Sequence, residues 1–316
     1  MADAALSPSK ETPFSFELFP PRTPAAEASL HATIQTLAAL GPEFISVTYG
    51  AGGSSRQKSL DLLRFILETT SVQPMAHLTC VGSSHAEAGS LVREFLDAGI
   101  VSFLALRGDP PVGRVEGDEF LGDLRTSSEL VQLIHRVQAE RAQYATLESR
   151  DGVGRLPERR QKVRVAVATF PNGHRRDHRD DQDIDTLLAK QTSGATMAIT
   201  QLLFNPDDYF GFVARATAGG VTIPIVPGLI PATSPSRLRR VLELTGERMP
   251  AALAAQLNAS DDPDEQIEIG VTHTVALSRE LIAGGAPGLH LYTFNQPSPV
   301  ITALQRLDLV LAPQLS

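Results

Sequence analysis

Eight short apolar runs separated by amphipathic helical stretches predict a (β/α)8 barrel. Three observations carry this. The runs are near-continuously apolar, the pattern of strands buried on both faces of a parallel sheet. Helical patterns lie between them along the chain. The 316 residues give the eight strand-helix units such a barrel needs. An open doubly wound sheet is the alternative. It needs fewer strands and usually a glycine-rich first turn, and no G-x-G-x-x-G follows the first run.

The strands are read at Phe14–Phe19, Phe44–Tyr49, Met75–Thr79, Val101–Leu106, Val163–Thr169, Met197–Phe204, Thr222–Val226 and Leu289–Tyr292. The helices are read at Ala25–Leu40, Arg56–Thr69, His85–Ala98, Ser127–Gln138, Ile184–Thr192, Pro206–Ala218, Ser234–Leu244 and Pro263–Ala283, with a short one at Pro250–Leu257. Gly99 is placed as a helix terminator, and Pro206 at a helix start. Residues 1–12 are polar and rich in Ala, Ser and Pro, and read as a disordered lead-in with no signal-peptide core. The remainder, 13–316, reads as one domain. A polar stretch at about 138–162 reads as a surface insertion.

Composition narrows the function classes. Apolar residues make up 42% of the chain, enough for a large core. The net charge of −8 and the absence of a basic block argue against a nucleic-acid partner. No apolar run reaches the ~18 residues of a membrane span. Cys80 is the single cysteine, which excludes an intrachain disulfide and a cysteine metal cluster. His174, Asp177 and His178 fall in a charged loop, and no metal is expected there. A cytoplasmic protein, with homo-oligomerisation open, fits this set.

The first strand carries the sharpest chemical signal. Side chains alternate along a strand, so Phe14, Phe16 and Leu18 point one way and Ser15, Glu17 and Phe19 the other. Pro20-Pro21 then ends it. Glu17 is thus an acid within an apolar strand. A carboxyl in an apolar wall favours its protonated form, which suits a general acid; a strand-end Glu directed into water is the other reading. Polar residues recur at the other strand ends: Thr48-Tyr49-Gly50, His77 and Thr79, Arg107-Gly108-Asp109, Phe170-Pro171-Asn172, Thr200-Gln201 and Tyr292-Thr293-Phe294-Asn295-Gln296. Barrel enzymes place their chemistry at this rim. Buried polar groups cost energy unless paired, so their convergence favours a site.

Phe16-Glu17-Leu18-Phe19-Pro20-Pro21-Arg22-Thr23, Ser46-Val47-Thr48-Tyr49-Gly50, His77-Leu78-Thr79-Cys80, Leu106-Arg107-Gly108-Asp109, Ala198-Ile199-Thr200-Gln201 and Pro227-Gly228 together resemble the bacterial single-domain methylenetetrahydrofolate reductases, in order and at close to their spacing. The resemblance implies a (β/α)8 barrel that binds FAD at its rim. It implies reduction of 5,10-methylenetetrahydrofolate to 5-methyltetrahydrofolate with NADH or NADPH, the flavin carrying hydride between the two. It assigns Glu17 as the acid that opens the folate's five-membered ring. Asp109 lies near flavin and pterin, and Gln201 bonds the pterin and meets the nicotinamide donor. It assigns Thr48 to the nicotinamide and Tyr49, Ala51, His77, Arg107, Gly108, Asp109, Phe170, His174, Asp183, Thr186 and Lys190 to the cofactor. Arg237 and Gln296 fall to the folate, beside Asp109 and Gln201.

The chain departs from the enteric pattern at several positions. Phe170 and Phe120 stand where Tyr is usual, Asn172 where Glu is, and Thr186 and Ala189 where Asn and Arg are. Gln296 stands for an Arg and Arg237 for a Gln. The loss at Ala189 removes a charge-assisted cofactor contact, which opens the same reaction by direct hydride transfer from NADH. Two other readings are a barrel flavoenzyme of the proline dehydrogenase type and a non-catalytic folate or flavin binder. Glu17 and Gln201 in their matched motifs argue against the first, and a carboxylate kept at a costly buried position argues against the second.

Overall fold

Strand pairing closes on itself. In the computed structural model, which describes residues 12–21, 23–48, 56–108, 121–148, 162–173 and 180–310, eight parallel strands pair in chain order and the last returns to the first. The strands are β1 (Phe14–Leu18), β2 (Phe44–Val47), β3 (Gln73–Thr79), β4 (Ser102–Leu106), β5 (Arg164–Thr169), β6 (Met197–Leu202), β7 (Ile225–Leu229) and β8 (Leu289–Tyr292). The helices are α1 (Pro24–Ala38), α2 (Arg56–Thr69), α3 (His85–Asp97), α4 (Ser127–Glu148), α5 (Asp180–Thr192), α6 (Pro206–Ala218), α7 (Pro235–Thr245), α8 (Ala251–Asn258), α9 (Pro263–Ala283) and α10 (Pro297–Arg306).

The helix starts are written in local chemistry. Thr23, Ser84, Asn205, Ser234 and Asp262 each accept a first-turn backbone N–H with their side chains. At Ser84 the Glu87 carboxylate returns a bond to the cap N–H, completing a capping box. Proline at the first turn of α1, α6, α7, α9 and α10 is tolerated because no intrahelical bond is lost there.

The alternation in β1 divides two cores. Phe14, Phe16 and Leu18 join Ile34, Leu63, Phe95 and Phe103 in the large core between barrel and helices. Inside the barrel a smaller core of Phe44, Met75, Leu104, Ala166, Met197, Ile199 and Val226 fills the space. The register sets Ser15 beside His290 and Glu17 beside Tyr292 across the closing seam, and Glu17 beside Ser46 on the other side.

Most ends differ from the sequence expectation by a few residues, and the larger differences are these. Strand β7 lies later than Thr222–Val226 and runs through Pro227-Gly228. Pro227, which has no N–H to give to a ladder, falls where the β6–β7 register shifts between Ile199 and Leu202. Helix α4 continues past Gln138 to Glu148. The stretch Pro263–Ala283 precedes β8, and the helix that follows β8 is α10, which the sequence reading did not mark. The lead-in 1–11 and residues 149–161 lie outside the described residues.

Candidate active site

Glu17 sits near the C-terminal end of β1 and is 7% exposed. It points into the barrel. Two imidazoles converge on one of its oxygens: His77 Nε2 from β3 at 3.6 Å and His290 Nε2 from β8 at 3.8 Å. Neither ring nitrogen has a hydrogen-bond partner among the described residues. The backbone around the acid is fixed, since the Glu17 carbonyl accepts from Thr293 Oγ1 at 2.8 Å. Burial pushes His77 down to about 4, against an opposing pull from Glu17, so it is neutral near pH 7. Burial, and secondarily Glu17, raises the Tyr292 phenol well above its ordinary value, so its proton stays on and its oxygen lies 3.4 Å from the Thr200 carbonyl.

The other expected site residues spread around the same rim. Thr48 follows β2, with its N–H donating to the Leu18 carbonyl at 3.0 Å and its carbonyl accepting from Ser59 Oγ at 3.1 Å. Arg107 and Gly108 follow β4. Gly108 has φ +85°, and a Cβ there would meet Val81 Cγ2 at 2.5 Å, so both backbone and space demand glycine. Gln201 is the last but one residue of β6, where its Oε1 accepts from the Leu202 N–H at 2.9 Å. Phe170 follows β5, and its carbonyl accepts from Gly173 N–H at 3.1 Å.

Asp183, Thr186 and Lys190 recur at i, i+3 and i+7 on α5 and so share one face. Lys190 is 7% exposed and donates to the Ala168 carbonyl at 2.7 Å. Burial lowers it to about 8, against the attraction of Asp183. Arg237 and Gln296 are brought together, with Arg237 Nη1 donating to Gln296 Oε1 at 2.5 Å. The guanidinium also lies 5.7 Å from the Phe294 ring centroid, and Phe294 packs on Phe19 at 5.4 Å. Tyr49, Ala51, Asp109 and His174 lie outside the described residues, as do Phe120, Asp177 and His178. Among the described residues no group of three or more His, Cys, Asp or Glu is set to hold a metal ion. None of the described helices is long and apolar enough to cross a membrane.

Sequence reasoning gave His290, Ser15 and Asn295 no role in the site. The alternation Leu289-His290-Leu291-Tyr292 puts His290 on the face of Tyr292, which was a usable signal. Asn295 left none. Its side chain bonds both the N–H and the carbonyl of Phe19, each at 2.9 Å, and so extends the β1–β8 seam by one step beyond the strands. Asn172 has a clear local setting: its Nδ2 donates to Asp208 and Glu247 at 3.1 and 2.7 Å, where a Glu would add a third carboxylate.

Residues 2–308 match the family described as methylenetetrahydrofolate reductase. The 5,10-methylenetetrahydrofolate reductases of Pectobacterium carotovorum and Escherichia coli K12 are each 29% identical over 283 residues, covering 89% of this chain and 85% and 86% of theirs. A methylenetetrahydrofolate reductase (NADH) of Arabidopsis thaliana is 30% identical over 95% of this chain and 49% of its own. Among solved structures, an uncharacterized Clostridium thermocellum protein that binds two copies of 5-methyl-5,6,7,8-tetrahydrofolic acid superposes with TM-score 0.58 at 12% identity, covering 95% of this chain and 94% of its own. An oxaloacetate acetylhydrolase gives 0.51 at 11% identity, covering 93% and 80%. These two likenesses speak for the barrel fold alone. The sequence match over nearly the whole chain, joined to an acid buried at the barrel rim, makes this chain a member of the methylenetetrahydrofolate reductase family.

Proposed function

We propose that this protein reduces 5,10-methylenetetrahydrofolate to 5-methyltetrahydrofolate with NADH or NADPH and bound FAD. The observation that carries the reading is Glu17, a buried carboxyl inside the barrel near the C-terminal rim, facing two imidazoles rather than a lysine or arginine. A general acid at this place needs a carboxyl held close to the folate ring nitrogen. Glu17 gives a proton to a ring nitrogen of the folate as the nitrogen–methylene bond opens. The methylene carbon becomes an iminium, which accepts hydride, while Gln201 holds the pterin edge.

The polar groups at the rim suit a dinucleotide. Lys190 brings an ammonium group to α5, Arg107 a guanidinium beyond β4, and the His77 Nε2 is an unbonded buried nitrogen. With Thr48, Gly108, Phe170, Asp183 and Thr186 they would hold FAD, together with Tyr49, Ala51, Asp109 and His174. When bound, the flavin supplies a hydride carrier between nicotinamide and folate. Arg237, steadied by Gln296 and the Phe294 ring, suits the negatively charged folate tail. The resulting methyl donor serves methionine synthesis.

One observation favours a second reading, in which hydride passes from NADH to the folate directly. The Lys190 ammonium is turned to the Ala168 carbonyl, and Ala189 beside it brings no charge. The visible spectrum of the purified protein separates the two. A flavin band bleached by NADH and restored by methylenetetrahydrofolate is expected; a colourless protein that still couples NADH oxidation to the folate would move the assignment to direct transfer. Glu17→Gln is expected to abolish folate reduction while NADH oxidation by an artificial acceptor continues. Equal loss of both reactions at unchanged flavin content would remove Glu17 from the role of folate-specific acid.

A further inference from the structure

In the reaction above the methyl group of the product stays on N5, so the nitrogen that Glu17 protonates is N10. N10 carries the p-aminobenzoyl ring, and the charged glutamate tail hangs from the far side of that ring. A flat aromatic group therefore spans the gap from Glu17 to Arg237. A carboxyl and a guanidinium at its two ends leave its faces to be covered by something else.

Two phenyl rings lie along that line. Side chains alternate along an extended chain, so Phe19, two residues on from Glu17, turns to the same side. Phe294 packs on Phe19 with ring centroids 5.4 Å apart and planes inclined at 38°. The Arg237 guanidinium carbon lies 5.7 Å from the Phe294 centroid. Contact thus runs from the end of β1 through Phe19 and Phe294 to Arg237. Both rings are half-buried, so each keeps part of its surface open at the rim.

The backbone is bent to bring Phe294 there. Its φ is +48°, in the left-handed region that a bulky side chain rarely adopts. Asn295 follows at φ +58°, which asparagine accepts readily. Such a conformation persists only where the surroundings fix it. Here Asn295 brackets Phe19 with its side chain, and its N–H donates to Thr293 Oγ1 at 3.0 Å. That hydroxyl donates in turn to the Glu17 carbonyl at 2.8 Å, and the Gln296 N–H donates to the Thr293 carbonyl at 2.9 Å. An asparagine or glycine at 294 would carry the turn with less strain, so the turn alone gives no reason for a phenyl ring.

We propose that Phe294, with Phe19 beside it, is the wall against which the p-aminobenzoyl ring of the folate packs, held in register with Glu17 by the strained turn. The proposal rests on the folate reading. Its consequence is a preference for folates over free pterins, which offer no second ring.

The test is equilibrium binding of two ligands to the purified protein. One is 5-methyltetrahydrofolate. The other is 5,6-dimethyltetrahydropterin, which keeps the methylated pterin and lacks the aryl ring and tail. Wild type is expected to bind the folate more tightly. Phe294→Asn suits the turn and removes the ring; it is expected to weaken folate binding about tenfold and leave pterin binding where it was. Phe294→Tyr keeps the ring face and is expected to bind both ligands as wild type does. In turnover the loss in Phe294→Asn appears as a higher KM for methylenetetrahydrofolate, while NADH oxidation by an artificial acceptor continues. Equal weakening of both ligands in Phe294→Asn would show that the residue only shapes the rim and would overturn the wall. Folate binding as tight as wild type in that variant would overturn it too, with the folate reading intact. A wild type that binds neither ligand would remove the folate reading itself, and the wall with it.

Discussion

His77 states most directly how burial sets charge at this site. Its ring is almost wholly enclosed, and its value of about 4 lies below the ordinary 6.5 because desolvation outweighs the nearby Glu17. Between those values the unfolded chain binds a proton that the folded protein refuses. Stability therefore falls as the pH drops from about 6.5 toward about 4, by on the order of 3 kcal/mol from this residue. His77→Gln should flatten that part of the acid slope when urea midpoints are followed across this range. The same slope in both proteins would assign the acid sensitivity elsewhere. Glu17 was legible in the sequence because a period of two needs only its neighbours. The convergence of His77 and His290 on it was not, since they arrive on strands far apart in the chain.

Single elements of the barrel tolerate little change where backbones meet. In β7, Gly228 donates its N–H to Thr200 Oγ1 at 2.8 Å. A Cβ there would meet the Thr200 carbonyl oxygen at 2.5 Å and the Tyr292 ring at 2.9 Å. Backbone cannot yield as a flexible side-chain end can. Gly228→Ala should cost about 2–4 kcal/mol and disturb Tyr292 beside Glu17, measured as a lower urea midpoint with reduced folate turnover. Wild-type stability in that variant would show that the β6–β7 register relaxes freely. The same glycine explains why the strand was read too early: Pro227-Gly228 looks like an end, and only the shifted register lets it lie within the sheet. Helix α10 was missed because two prolines mark its first turn, and its apolar face is defined by packing against α9, α1 and the main core.

For the whole molecule, closure is the organising event. The β1–β8 pairing leaves no open sheet edge, and it also aligns Ser15 with His290 and Glu17 with Tyr292. A chain ended before β8, after Gly285, should lose its native barrel rather than one strand, because both β1 and β7 would become unpaired edges. Circular dichroism and limited proteolysis would check this; a protease-resistant, cooperatively unfolding truncation would mean the first seven strands hold by themselves. The sequence by itself determined the barrel, the family and an acid set within an apolar first strand. Each of these rests on local period, on composition or on motifs read along the chain. The tertiary structure decided which groups face that acid, that Arg237 meets Gln296, that Lys190 turns to Ala168 and that Asn295 fastens Phe19. Those contacts depend on how eight strands are staggered around a closed ring, and stagger is fixed by packing between segments distant in sequence.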